Sequence, residues 1–152
     1  MFTWMVLFAL AIFYFGRMVG FLGINASPSI PAKEFSVSKL DTDLERGQLV
    51  AFRYYGEFYP HNTNMAKYVV GLPGDEVTAD ENRNFYINGQ FVGRAKEKSM
   101  SQEPLEMNTF RGKIPYGKFW YMTPEKDSFD SRYALAGLGD MQDVEGKAYI
   151  LF

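Results

Sequence analysis

Between Met1 and Ile24 the chain carries no aspartate or glutamate and one charged side chain, Arg17. A run this long and this apolar most constrains what the rest can do. As a single helix it would rise ~36 Å, enough to cross a hydrocarbon core of about 30 Å with some tilt. Arg17 lies toward its C-terminal end, where it can snorkel to headgroups, and Trp4 suits the opposite interface. The expectation is a retained transmembrane anchor over 1–24, with 25–152 as a separate domain. Two alternatives stay open on residues alone. One is a secretory signal cleaved near Ala26, although the usual basic n-region is not seen; the other is a buried core helix. Lys33 and Lys39 follow the span and weakly favour the cytoplasmic side for what comes after it, so charge counting leaves the topology open.

At 152 residues in all, the remainder suits one modest domain. The whole chain has a net charge of −2, and setting Arg17 aside makes the remainder slightly more acidic. It lacks the basic surface that nucleic acids require, so no nucleic-acid partner is expected. Aromatic residues reach 17%, with 14 Phe and 10 Tyr, which favours strands over a plain helical bundle. Strands are predicted over Gln48–Tyr55, Ala66–Val70, Lys118–Met122 and Lys147–Phe152. Asn84–Val92 reads as a hairpin, because Asn88-Gly89 favours a type I′ turn. Glu97–Arg111 is polar and reads as a mobile loop or a short helix. The fold class expected is mainly β, attached to one N-terminal transmembrane helix.

The chain contains no cysteine and one histidine, His61. Disulfides, a cysteine nucleophile, a cysteine-rich zinc site and a multi-histidine metal site are all excluded. No metal and no cofactor is expected. Catalysis, if present, falls to serine, threonine, lysine, tyrosine and the carboxylates.

Three short stretches carry such groups. Asn25-Ala-Ser27-Pro28-Ser29-Ile30-Pro31 holds a serine between prolines that forbid a continuing helix. Alone it also reads as a juxtamembrane linker. In Lys67-Tyr-Val-Val-Gly71-Leu-Pro73-Gly74-Asp75, Pro-Gly suits a type II turn, and strand alternation puts Lys67 on the face of Val69 and Gly71. A lysine on a core row would be desolvated and thereby kept neutral enough to act as a base; a snorkelling edge lysine is the alternative. Pro124-Glu-Lys-Asp-Ser128-Phe129-Asp130-Ser131-Arg132-Tyr133 packs hydroxyls and charges into one turn, with Asp130 and Arg132 placed to pair. Alone it also reads as a solvated loop.

Together and in this order, the proline-flanked serine, Lys-x-x-x-Gly-x-Pro-Gly-Asp and Ser-x-Asp-Ser-Arg make the chain resemble the signal peptidase I family of serine–lysine peptidases. Its small size and single N-terminal span resemble most the TraF-type, pilin-processing branch of conjugative transfer. The resemblance runs over most of Asn25–Phe152. It implies a signal-peptidase-like β fold of several small antiparallel sheets. It also implies that Ser29 is the nucleophile, Lys67 the general base and Asp130 the supporting carboxylate. Ser27 would assist the oxyanion, Ser128 would orient the lysine, and Arg132 would pair with Asp130.

By the same resemblance, the catalytic domain lies on the periplasmic side of the cytoplasmic membrane. Its partners are the bilayer and an exported precursor such as a prepilin, bound extended along a sheet edge with shallow pockets for small side chains. Cleavage with cyclisation of the product is a further implication of that branch. Three positions depart from signal peptidase I proper. Tyr68 stands where a basic residue follows the lysine, Thr123-Pro124-Glu125-Lys126 replaces Gly-Asp-Asn-Arg, and Ile30 replaces methionine. A general type I signal peptidase and a non-catalytic membrane-anchored β module are the alternative functions. A LexA-like self-cleaving enzyme shares the dyad but not the anchor.

Overall fold

The apolar N-terminal stretch divides in two in the computed structural model, which describes residues 2–24 and 29–151. Helix α1 runs Phe2–Val19, and Gly20–Ile24 is strand β1. This corrects the expectation of one helix reaching Ile24. Glycine costs a helix interior about 1 kcal/mol relative to alanine, and two glycines here serve a strand instead. A Cβ at Gly20 would stand 2.1 Å from the Val37 carbonyl oxygen, and one at Gly23 would stand 2.4 Å from the Phe35 ring. Their bare backbone lets β1 lie directly on β2 (Glu34–Ser38), antiparallel, with Gly20 opposite Ser38 and Ile24 opposite Glu34. Helix α1 rises ~27 Å, and among the described residues no helix is long and apolar enough to cross a membrane. Its apolar side chains nevertheless face outward: Trp4, Phe8, Tyr14 and Phe15 are each more than half exposed.

The chain continues through β3 (Leu49–Tyr54), β4 (Thr63–Gly71), β5 (Glu76–Ala79), β6 (Asn84–Ile87), β7 (Gln90–Arg94), β8 (Gly112–Lys113), β9 (Lys118–Met122), β10 (Gly139–Asp140) and β11 (Val144–Ile150). Among the described residues these strands build two antiparallel sheets. One is seven-stranded in the order β1-β2-β11-β3-β4-β9-β10, and one is four-stranded in the order β7-β6-β5-β8. The first is a larger sheet than the several small ones expected. Between β6 and β7, Asn88 and Gly89 both have positive φ, 50° and 78°, as the primed hairpin turn requires.

Strand β9 explains how the two sheets share a core. Phe119 and Tyr121 point to a cluster with Phe52, Met65 and Val69, while Trp120 and Met122 point to a second cluster with Val77, Phe85 and Ile87. A strand buried on both faces needs an unbroken apolar run, and Phe-Trp-Tyr-Met supplies one. Glu97–Arg111 forms no helix. Its backbone is tied to the site-bearing segment by Asn108 N–H donating to the Arg132 carbonyl (2.9 Å) and Ala134 N–H donating to the Glu106 carbonyl (3.0 Å).

The turn after β4 is braced by Asp75. Its carboxylate accepts two bonds from the Arg46 guanidinium (2.6 and 3.0 Å), one from the Leu72 backbone N–H (2.6 Å) and one from the Asn88 amide (2.8 Å). The Arg46 contact first, then the Leu72 and Asn88 bonds, hold the carboxyl down at about 2. The folded state therefore resists protonation, and the stability this confers is present above pH 3.8 and lost as pH falls toward 2. Because Arg46 is half-exposed, solvent screens part of it. Asp75→Asn is expected to cost about 1–2 kcal/mol at neutral pH, with the gap from wild type closing in urea melts taken below pH 3.8.

Candidate active site

Strand β4 lies between β3 and β9, and its alternation buries Met65, Lys67 and Val69 on one face. A bulge after Val69 ends that alternation, so Gly71, expected on the same face, lies instead against Trp120, Ile87 and Ile114 of the second cluster. Lys67 is therefore a charged residue on a core row, 5% exposed. Its Nζ donates to Ser128 Oγ at 2.8 Å and to Ser29 Oγ at 3.3 Å. Ser29 is held there by its neighbour. Ile30 is buried in a cluster with Phe35, Val37, Leu49, Ala51 and Ala148, which moors the turn to the large sheet. Ser27 lies outside the described residues.

The electrostatics of Lys67 stand out against the other buried lysine, Lys147 on β11. Lys147 donates to Asp41 (2.7 Å) and Glu45 (2.8 Å), and these two carboxylates raise its affinity for the proton. Lys67 meets two hydroxyls instead. Burial pushes it down to about 8, with the Asp130 carboxylate opposing that shift and Arg132 adding to it. An amine neutral in part near physiological pH, next to a hydroxyl, is the pairing that activates a serine.

Asp130 and Arg132 form a layer behind this pair. Asp130 is fully buried and Arg132 is 3% exposed. The guanidinium donates from Nε to Oδ1 (2.8 Å) and from Nη2 to Oδ2 (2.9 Å), a bidentate pair. It also donates to the carbonyls of Arg94 (3.1 Å) and Glu125 (2.9 Å). Ser131 stitches the turn onto β9: its N–H donates to the Tyr121 carbonyl, and its Oγ accepts from the Tyr121 N–H, both at 3.0 Å. Residues 128–132 are thus fixed by backbone and charge, and Ser128 is delivered to Lys67 as a consequence.

Of the residues singled out from sequence, the structure brings Ser29, Lys67 and Ser128 into contact and stacks Asp130 and Arg132 against one another. His61 is exposed, its ring 5.1 Å from that of Tyr55. Asn108 was missed. It is buried, and its amide donates to the Ser131 carbonyl at 2.9 Å, so it pins the 128–132 turn from the other side. Its setting in a polar run hid it, since an asparagine there reads as solvated. The departure at 123–126 also finds a use, because the Glu125 carbonyl that Arg132 grips lies within it.

Comparison with known proteins follows the same line. The signal peptidase I of Pseudomonas aeruginosa is 30% identical over 146 residues, spanning 72% of this chain and 49% of its own length. That of Pseudomonas fluorescens matches at the same identity and coverage. The chain thus spans about half the length of the curated relatives it matches. A crystal structure of a signal peptidase I from Enterococcus faecalis aligns with a TM-score of 0.46 and 23% identity, covering 72% of this chain and 97% of that one. The family model described as signal peptidase, peptidase S26, matches residues 1–152 from end to end, and the chain belongs to that family.

Proposed function

We propose that the chain is a serine endopeptidase of the signal-peptidase type, with Ser29 as nucleophile and Lys67 as general base. The observation that carries this reading is the 3.3 Å approach of Lys67 Nζ to Ser29 Oγ inside a buried site. Neutral Lys67 takes the proton from Ser29 as Oγ bonds to the scissile carbonyl carbon. The carbon–nitrogen bond then breaks, and the amine leaves with that proton. Lys67 next deprotonates a water that attacks the ester, which frees the new carboxylate and restores the serine hydroxyl. The Ser29 backbone N–H and the Ser27 hydroxyl are assigned to the oxyanion, each donor worth about 3 kcal/mol in this kind of chemistry.

Ser128 holds the lysine amine at the right height, and Asp130 with Arg132 braces the turn that presents it. Ser128→Ala is expected to lower kcat roughly tenfold with KM little changed, the worth of one orienting hydrogen bond. Steady-state kinetics on a quenched peptide reads the split.

The substrate class is an exported precursor protein, cleaved next to the membrane that the outward-facing apolar side chains of α1 suit. In this reading α1 forms the anchor, and the chain from β1 onward, which pairs into the large sheet, forms a catalytic domain on the periplasmic side. The finer assignment is a conjugative pilin precursor, supported by the three departures from signal peptidase I proper. Incubating membranes that carry the protein with a precursor, and weighing the products by mass spectrometry, tests both levels. Cleavage lost in Ser29→Ala supports the peptidase. A product lighter than the linear form by one water marks cyclisation, and a linear product marks a general signal peptidase. Undiminished cleavage by Ser29→Ala removes the dyad from consideration.

A further inference from the structure

A cleft of about 560 Å³ has in its wall Ser128, whose hydroxyl accepts from Lys67 at 2.8 Å. That volume lies within the ~300–1,000 Å³ common for ligand sites. Consecutive residues join it to the chemistry: Ser128 meets Lys67, and Phe129 lines the cleft. The Phe129 ring stacks on Phe58 with centroids 4.4 Å apart and planes 11° from parallel, and it meets the edge of Tyr59 at 5.3 Å. Around the mouth, Phe58, Met100 and Leu135 are 51%, 77% and 60% exposed. Large apolar side chains left in water around a cavity mark a surface awaiting a partner. An ion pair between Lys96 and Asp127 crosses the rim, joining the segment after β7 to the turn that carries Ser128.

We propose that this cleft is a substrate subsite that takes one large apolar side chain, aromatic or long aliphatic, from the precursor close to its scissile bond. The inference rests on the peptidase reading above, and it departs from the shallow, small-side-chain pockets expected from sequence. Two features select a peptide as the occupant. Ser128 lines the wall and bonds the lysine that meets Ser29, so a chain whose carbonyl reaches Ser29 passes close to the mouth; extended residues of like parity recur every ~7 Å, placing a near neighbour of the scissile bond over it. The rim offers an ammonium and a carboxylate side by side, which complements the carbonyl and N–H of a peptide backbone. The aromatic pair is already stacked, so its rings need little further ordering on binding.

The test uses the full chain in detergent and quenched peptides with an Ala-x-Ala core, in which phenylalanine replaces alanine at each flanking position in turn. One position is expected to raise kcat/KM about tenfold over the all-alanine peptide. Phe58→Ala and Leu135→Arg, both at exposed sites, are each expected to bring that ratio back to near one. Cleavage by wild type with no preferred position, or a preference that survives both variants, overturns the subsite and leaves the peptidase standing. A wild-type dimer in sedimentation that Phe58→Ala dissolves also overturns it, by assigning the patch to a second copy. Failure to cleave any peptide overturns the peptidase reading and the subsite with it.

Discussion

Replacing Lys67 with methionine is expected to reduce kcat/KM at least ~1,000-fold, because the variant keeps the packing volume and removes the base. Wild-type activity should climb with pH through a limb centred near 8, the value to which burial pushes the amine. The same shift makes a stability prediction of definite sign. Below about 8 the lysine is charged in both folded and unfolded chains, and the fold bears the cost of a buried ammonium. Between about 8 and 10.5 the folded chain has released a proton that the unfolded chain still holds, so stability rises with pH by about 3 kcal/mol. Lys67→Met lacks that rise. Urea melts of both proteins at neutral and alkaline pH measure the difference, and parallel curves would refute the desolvated lysine.

Asp130→Asn is expected to be the most destabilising single change at the site, by about 3–5 kcal/mol, because it leaves the Arg132 guanidinium buried without its countercharge. It also removes the charge that holds the Lys67 proton in place. The ascending limb of the pH–rate profile should therefore move below that of wild type in whatever fraction folds. Pairing Asp130→Asn with Arg132→Met should recover part of the lost stability, since both charges are then gone, and a double-mutant cycle reports their coupling. An unchanged limb in Asp130→Asn would show that the carboxylate acts through the turn alone.

These effects were legible in sequence to different depths. The Lys67 row was visible because a strand repeats every two residues, and Val69 marks which side is inward; the bulge that turns Gly71 to the opposite face left no local sign. The hairpin at Asn88-Gly89 was visible for a local reason as well, the demand for positive φ at both positions. Strand β1 was hidden, since Gly20–Ile24 extends an apolar run and only its pairing with β2 gives the glycines their meaning. No local pattern separates Lys67 from Lys147 either. Both sit on inward strand rows, and the carboxylates that neutralise one and the hydroxyls that meet the other arrive from distant parts of the chain. Asn108 and the Phe58–Phe129 stack were missed for the same reason, as each gains its role from a partner far along the sequence.

Strand β4 sets a rule of parity on the chain's tolerance of insertions and deletions. Val50 pairs with Lys67 and Phe52 with Met65 in an unbroken ladder from Thr63 to Tyr68. One residue gained or lost within that ladder would invert the strand, turning the amine to the opposite face and Ala66 or Tyr68 toward Ser128. Two residues would restore the facing but carry the amine ~7 Å along the sheet. Length can therefore drift in the connection ahead of Thr63, whereas from Thr63 to Lys67 it is locked by the need to deliver one nitrogen to one oxygen.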